Sequence, residues 1–204
     1  MPRPSTREKL LDCAENLFAN QGLAGVSLRS INASAGLSPA ALHYHFGSKD
    51  ALVAAVLERR MPSLMNRRRK LFDALERSPE SISVRAVLEA LVRPMIELLE
   101  QDQNDGHRYL RFIYRLQVDG DLFPLFPTEK LGGGVDRLVP MLCRAMPDIP
   151  IEVIEVRLAL AIDVILRSLA LTPPTVAADL DPQMRALVDF LTGALEAECT
   201  EAAV

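Results

Sequence analysis

The sequence predicts an all-α fold in two parts: a three-helix N-terminal unit, residues 1–50, and a longer helical body, residues 51–204. Three observations predict it. Apolar residues recur at three- and four-residue spacing through most of the chain, the period of a helix with one buried face. Strand-like alternation is sustained nowhere. Serine, glycine and proline fall at the positions where helices begin and end.

The first helix runs from Thr6 to Gln21, with Leu10, Leu11, Ala14, Leu17 and Phe18 on its inward stripe and Gly22 as its stop. Residues 27–49, SLRSINASAGLSPAALHYHFGSK, carry their own punctuation. Ser27 caps a short helix whose inward residues are Leu28, Ile31 and Ala35. Gly36 supplies the left-handed backbone that a sharp turn requires. Leu37 packs into the corner, Ser38 caps a second short helix, and Pro39 takes its first position, where a missing N–H costs nothing. Leu42 and Phe46 return to the core, and Gly47-Ser48 closes that helix and opens the next. These residues form a helix–turn–helix, which the first helix backs.

Ser48 opens a helix through Leu52, Val56 and Leu57 that Pro62 breaks near Arg59–Arg60. Its continuation, Ser63 to Leu75, carries Arg67, Arg68, Arg69 and Lys70, which read as a solvated basic face. Ser83 caps a helix to about Leu99, with Val84, Val87, Leu88, Leu91, Val92, Met95 and Leu99 inward and a kink at Pro94. Gly106 precedes a shorter helix, His107 to Gln117. Asp119 to Gly134 breaks both periods and reads as loop with a short turn. A further helix covers Val135 to Ala145 and stops at Pro147–Pro150. Ile151 to Leu171 is apolar on nearly every face, and Asp181-Pro182 caps a last helix with the stripe Met184, Leu187, Val188, Leu191 and Leu195.

Composition narrows the class. Arg157, Asp163 and Arg167 interrupt the Ile151–Leu171 helix, so it lacks the ~20 apolar residues of a membrane span. No apolar run near residue 1 is long enough for a signal peptide. Cys13, Cys143 and Cys199 are odd in number and far apart, which favours reduced thiols over a disulfide framework or a metal site. A cytoplasmic protein without metal or cofactor is expected. G-x-S-x-G, C-x-x-C and H-E-x-x-H are absent, and Gly132–Gly134 follows no strand and lacks a phosphate-loop lysine, so no enzyme is expected. The net charge of −4 is polarised: residues 1–78 hold 12 Lys/Arg against 7 Asp/Glu, and residues 79–204 hold 11 against 20. The basic part contains the helix–turn–helix, as a phosphate-binding module requires.

A second helix with an exposed N-terminus is the device that enters a DNA major groove. Its residues also carry a resemblance. The run Ile-x-x-x-Ala-Gly-Leu-Ser from Ile31, then Leu-His-Tyr-His-Phe-Gly-Ser-Lys-Asp-Ala-Leu from Leu42, resembles the DNA-binding region of TetR-family transcriptional regulators. It covers about a quarter of the chain, and the N-terminal placement and total length fit. Two residues depart from the pattern: Asn32 stands where a small apolar residue is usual, and His43 where tyrosine is usual. Asn32 either hydrogen-bonds a nearby backbone carbonyl or loosens the helix pair.

The resemblance implies a ligand-responsive homodimeric repressor on a palindromic double-stranded DNA operator. Its contact positions fall on Arg29, Ala40, Ala41, His43, Tyr44, His45 and Lys49, with Ser38 at the cap. Arg29 suits a bidentate contact to guanine, and Ala40 and Ala41 suit thymine methyl groups. Tyr44 and His45 reach phosphate or sugar, and Lys49, at a helix N-terminus, binds a phosphate. His43 and His45 are not a metal pair, because i,i+2 side chains do not face each other on a helix.

One chain of this size can hardly cover two nearly all-apolar helices, so a partner copy is expected to complete a four-helix interface, as the resemblance also implies. Its stripes are Leu158, Ile162, Ile165 and Leu169, then Leu187, Leu191 and Leu195. The acidic body is expected to hold a cavity for a small hydrophobic or aromatic effector. Its walls are Met61, Met65, Met95, Leu98, Tyr109, Phe112, Ile113, Leu116, Phe123, Phe126 and Met141. Arg108, Arg111 and Arg115 read as an exposed basic stripe, or alternatively as a grip on a ligand carboxylate. The rival function is a sequence-tolerant architectural DNA binder, which shares the basic half but leaves the elaborate body without a use.

Overall fold

The computed structural model describes residues 5–119, 136–171 and 180–199. Among them the regular structure is α-helix throughout. A capping box starts α1 (Thr6–Gln21): the Ser5 hydroxyl accepts from the Glu8 amide at 3.2 Å while the Glu8 carboxylate accepts from the Ser5 amide at 2.8 Å. Ser27 and Ser30 repeat the device at α2 (Leu28–Ala35). Gly36, at φ 66° and ψ 34°, makes the left-handed turn. At α3 (Pro39–Phe46) the expected cap is corrected, because the Ser38 hydroxyl makes no cap hydrogen bond. The Ala41 amide, the donor such a cap would receive, goes instead to the Ser38 carbonyl at 3.0 Å.

Ser48 caps α4 (Lys49–Glu58), accepting from the Ala51 amide at 3.1 Å. The chain breaks at Arg59–Arg60 before α5 (Met61–Arg77), where Pro62 sits harmlessly in the first turn. Ser83 caps α6 (Val84–Gln101), which continues through Pro94. The next helix, α7 (Gln103–Asp119), starts before Gly106 rather than after it. A Cβ on Gly106 would lie 2.8 Å from the Leu98 carbonyl oxygen, so this glycine permits a close crossing and does not mark a helix start. The body closes with α8 (Leu138–Ala145), α9 (Ile151–Leu171) and α10 (Leu180–Glu196). Since α10 begins at Leu180, Asp181 lies in its first turn and not at its cap. The loop expected over Asp119 to Gly134 lies outside the described residues, apart from Asp119 at the end of α7.

The head core forms where α1, α2, α3 and α4 meet, around Leu10, Ala14, Phe18, Ile31, Leu42, Leu52 and Val56. The other side of α1 packs on α7, which also packs on α6 and α9, so α7 is the central post of the molecule. The last helix packs on α6 and α9. An Arg85–Asp189 ion pair ties it to α6, and Arg157 donates to the Leu195 carbonyl at 2.7 Å.

The dimer stripes need correcting. Leu158, Ile165, Leu169, Leu191 and Leu195 are buried inside their own chain, and Ile162 and Leu187 are half-buried against the same core. Periodicity locates an apolar stripe; it does not say which apolar surface covers it. The uncovered face is a different one. Val156 and Leu160 on α9 are 62% and 61% exposed, and Phe190 on α10 is 66% exposed. No helix among the described residues is long and apolar enough to cross a membrane.

Candidate functional site

The reading helix shows its polar side outward. With Leu42 buried beneath, Ala40, His43 and Tyr44 are exposed, and Tyr44 reaches 85%. Ala41 and His45 are half-buried, and the His45 ring meets Tyr44 edge-on at 5.2 Å between centroids. Phe46 is half-buried against the core with the Arg7 guanidinium 5.4 Å from its centroid. Arg29 on α2 and Ser38 at the turn are exposed. Asn32 is buried, and its main-chain carbonyl accepts from the Leu37 amide at 3.0 Å, at the corner of the turn.

Lys49 departs from the expected free ammonium at a helix N-terminus. Its Nζ donates to the Leu23 carbonyl and lies 6.0 Å from the centroid of Phe18. This lysine is half-buried and fastens α4 to the end of α1. The Leu23 carbonyl also accepts from the Val26 amide at 3.2 Å in the turn after α1, and its second lone pair takes the nearest flexible cation.

Head and body meet at a charged seam. Glu15 on α1 is buried, with Oε1 2.9 Å from Arg108 Nε and Oε2 3.6 Å from Arg59 Nη1. Burial pushes its carboxyl above the usual carboxylate range, against the opposing pull of Arg108, Arg60 and Arg59. Arg59 also pairs with Asp12 at 2.8 Å, and Arg60 with Asp105 at 2.5 Å. Beside these charges Phe18 stacks on Phe112 at 6.0 Å, and the Tyr109 hydroxyl donates to the Leu57 carbonyl at 3.0 Å. Burial raises the Tyr109 hydroxyl above its ordinary value, so it stays a donor.

Behind the seam lies a cavity of about 80 Å³ between α5, α6, α7, α8 and α9. Four expected wall residues line it: Met61, Met65, Met95 and Ile113. Tyr109, Phe112, Leu116 and Met141 are fully buried in packing and do not line it. Tyr109 and Phe112 belong to the seam. Leu98 faces a separate cleft beside Arg60 and Glu97. Phe123 and Phe126 lie outside the described residues. Ile162 and Ile165, expected at a dimer interface, line the cavity instead.

The arginines exchange roles. Arg108 is held by Glu15 and Asp105, which corrects its reading as exposed stripe or ligand grip. Arg68, read as part of a solvated face, is 3% exposed and stands on the cavity wall. Helical phase contained the signal, because Arg68 continues the buried stripe Met61, Leu64, Met65 and Phe72. Glu15 likewise falls between Leu11 and Phe18 on the inward side of α1. Arg68 was read by its charge, although phase placed it inside.

A helix–turn–helix head, joined through a charged seam to a helical body with an internal cavity, defines a class: the helical regulatory protein that carries a helix–turn–helix and a second helical domain in one chain. Residues 10–56 match the family model of bacterial regulatory proteins, tetR family, and residues 89–194 match the tetracyclin repressor-like C-terminal domain. The chain belongs to the tetR family of bacterial regulatory proteins.

Its relatives agree. It is 33% identical to the HTH-type transcriptional repressor KstR2 of Rhodococcus jostii over 94 residues, 46% of this chain and 43% of that one. It is 31% identical to the probable HTH-type transcriptional regulator YttP of Bacillus subtilis over 120 residues, 58% and 54%. The chain thus spans about half the length of the curated relatives it matches. Among solved structures, the ketosteroid transcriptional regulator KstR2 of Mycobacterium tuberculosis shares the fold at TM-score 0.65 and 20% identity, over 94% and 95% of the two chains. A TetR-like regulator from Rhodococcus sp. RHA1 does so at 0.62 and 19%, over 96% of each. At these identities the likeness is one of fold.

Proposed function

We propose that this protein is an effector-responsive homodimeric repressor that occludes a promoter by binding a palindromic operator. The carrying observation is the continuity of α7: Ile113 and Gln117 line the cavity, while Arg108, Tyr109 and Phe112, within about two turns, hold the head. An effector that favours one position of α7 shifts the spacing of two reading helices, and operator affinity changes only by that preference.

Arg29, Ala40 and Ala41 face the bases with His43 and Ser38 beside them, and Tyr44 and His45 reach phosphate or sugar. Symmetric operators need two such surfaces a helical turn or a multiple apart. The outer face of α9 and α10, with Val156, Leu160 and Phe190, supplies the contact between copies.

Selection of bound fragments from random duplex DNA tests this reading. One palindromic site is expected, protected as a single footprint. Broad protection at similar affinity for every duplex would sink it and favour an architectural binder.

A further inference from the structure

Arg68 is the anomaly of the cavity. Its Nη2 donates to the Leu91 carbonyl at 3.2 Å, Nη1 faces the Met65 sulfur at 3.6 Å, and Nε has no partner. No carboxylate pairs with it among the described residues, and burial alone lowers its pKa, to about 10. It therefore keeps its positive charge at neutral pH. Neighbouring arginines are served differently: Glu97 accepts two-pronged from Arg67, and Asn66 accepts from Arg69. The Leu91 carbonyl does not explain a full charge, because any neutral donor would satisfy it. A buried guanidinium without a counter-charge is strongly disfavoured until an anion meets it.

We propose that the effector is a hydrophobic monocarboxylate, its carboxylate received by Arg68 and its single apolar tail by Met61, Met65, Met95 and Ile113. The proposal rests on the sensing function above and adds the chemical class of the effector. A planar carboxylate matches the unused N–H donors of one guanidinium and brings one charge for one charge. A phosphate dianion would bring a second charge, and the one other polar residue on the wall, Gln117, is neutral. The cavity, about 80 Å³, takes the carboxylate and first carbons as it stands. Three methionines on flexible stems can retreat from the rest of the tail.

The test compares octanoate with 1-octanol by calorimetry on the full chain, and both again on Arg68→Met. Wild type should bind octanoate about 10- to 100-fold tighter than octanol, the range of a charge-assisted hydrogen bond. Arg68→Met should lose that preference and keep its affinity for octanol. The wild-type comparison stands even if the variant misfolds. Equal binding of the two compounds, or a preference that survives in Arg68→Met, overturns the carboxylate while leaving the cavity a ligand site. No binding by either compound also overturns it, and release of operator DNA by any other small molecule then decides the sensing function separately.

Discussion

Phe190→Ala separates the outer face of the last two helices from the stripe that phase alone assigns to the dimer. The ring is 66% exposed in the single chain. A phenylalanine carries about 200 Å² of buriable surface, so truncation removes about 100 Å² from each copy. At about 25 cal/mol per Å² that is about 2.5 kcal/mol per protomer and about 5 for the symmetric pair. Association realises only part of transferred area, so about 2–3 kcal/mol of dimer stability should be lost. That corresponds to a dissociation constant raised roughly 30- to 150-fold. Sedimentation velocity across a dilution series reads it directly, while thermal unfolding of the monomer should be unchanged. Leu191→Ala, one residue on and buried, should do the reverse: about 2–5 kcal/mol of chain stability lost through a cavity. A dimer as tight in Phe190→Ala as in wild type, together with a folded but monomeric Leu191→Ala, would refute the reassignment.

Glu15→Ala leaves Arg108 and Arg59 without their buried acceptor. Because both arginines are about a quarter exposed, the loss should fall below that of a fully buried pair, about 2–3 kcal/mol in urea unfolding. A loss within error would mean that Asp12 and Asp105 hold the seam alone. His107 is buried, and burial, with Arg111 nearby, lowers its pKa from 6.5. The unfolded chain therefore binds the proton more readily. Stability contributed by the neutral ring should be present above pH 6.5 and fall as acid takes the pH below it. His107→Gln should flatten that part of a melting-temperature profile; an unaltered slope would place the dependence elsewhere. Lys49→Met keeps the stem but removes the donor to Leu23, and should cost about 1 kcal/mol of stability with the salt dependence of DNA binding unchanged. A salt slope reduced by about 1 per subunit would instead return Lys49 to a phosphate contact.

Much of the head was legible because its signals are local. Ser27, Gly36, Pro39, Gly47 and Ser48 act on their immediate neighbours, so helix ends in this region fall within a residue of expectation. The body was legible as helices but not as faces. Leu158 and Ile165 have the right spacing for any apolar partner, and only the fold decides that their partner is their own core. Gly106 was misread because a glycine's local meaning, a helix boundary, gave way to a long-range one, room for the Leu98 carbonyl. The buried charges were the costliest omission. Arg68 sits in a run of four basic residues, where solvation is the usual fate of three and was wrongly extended to the fourth.

Glu15 anchors the head to its body through a helix that the reading pair does not include. Operator preference and attachment are thus written in separate stretches of sequence. Transplanting residues 27–49 from a relative would retarget the protein while preserving its docking, whereas a graft that also replaced α1 would have to import matching arginines from the donor's body.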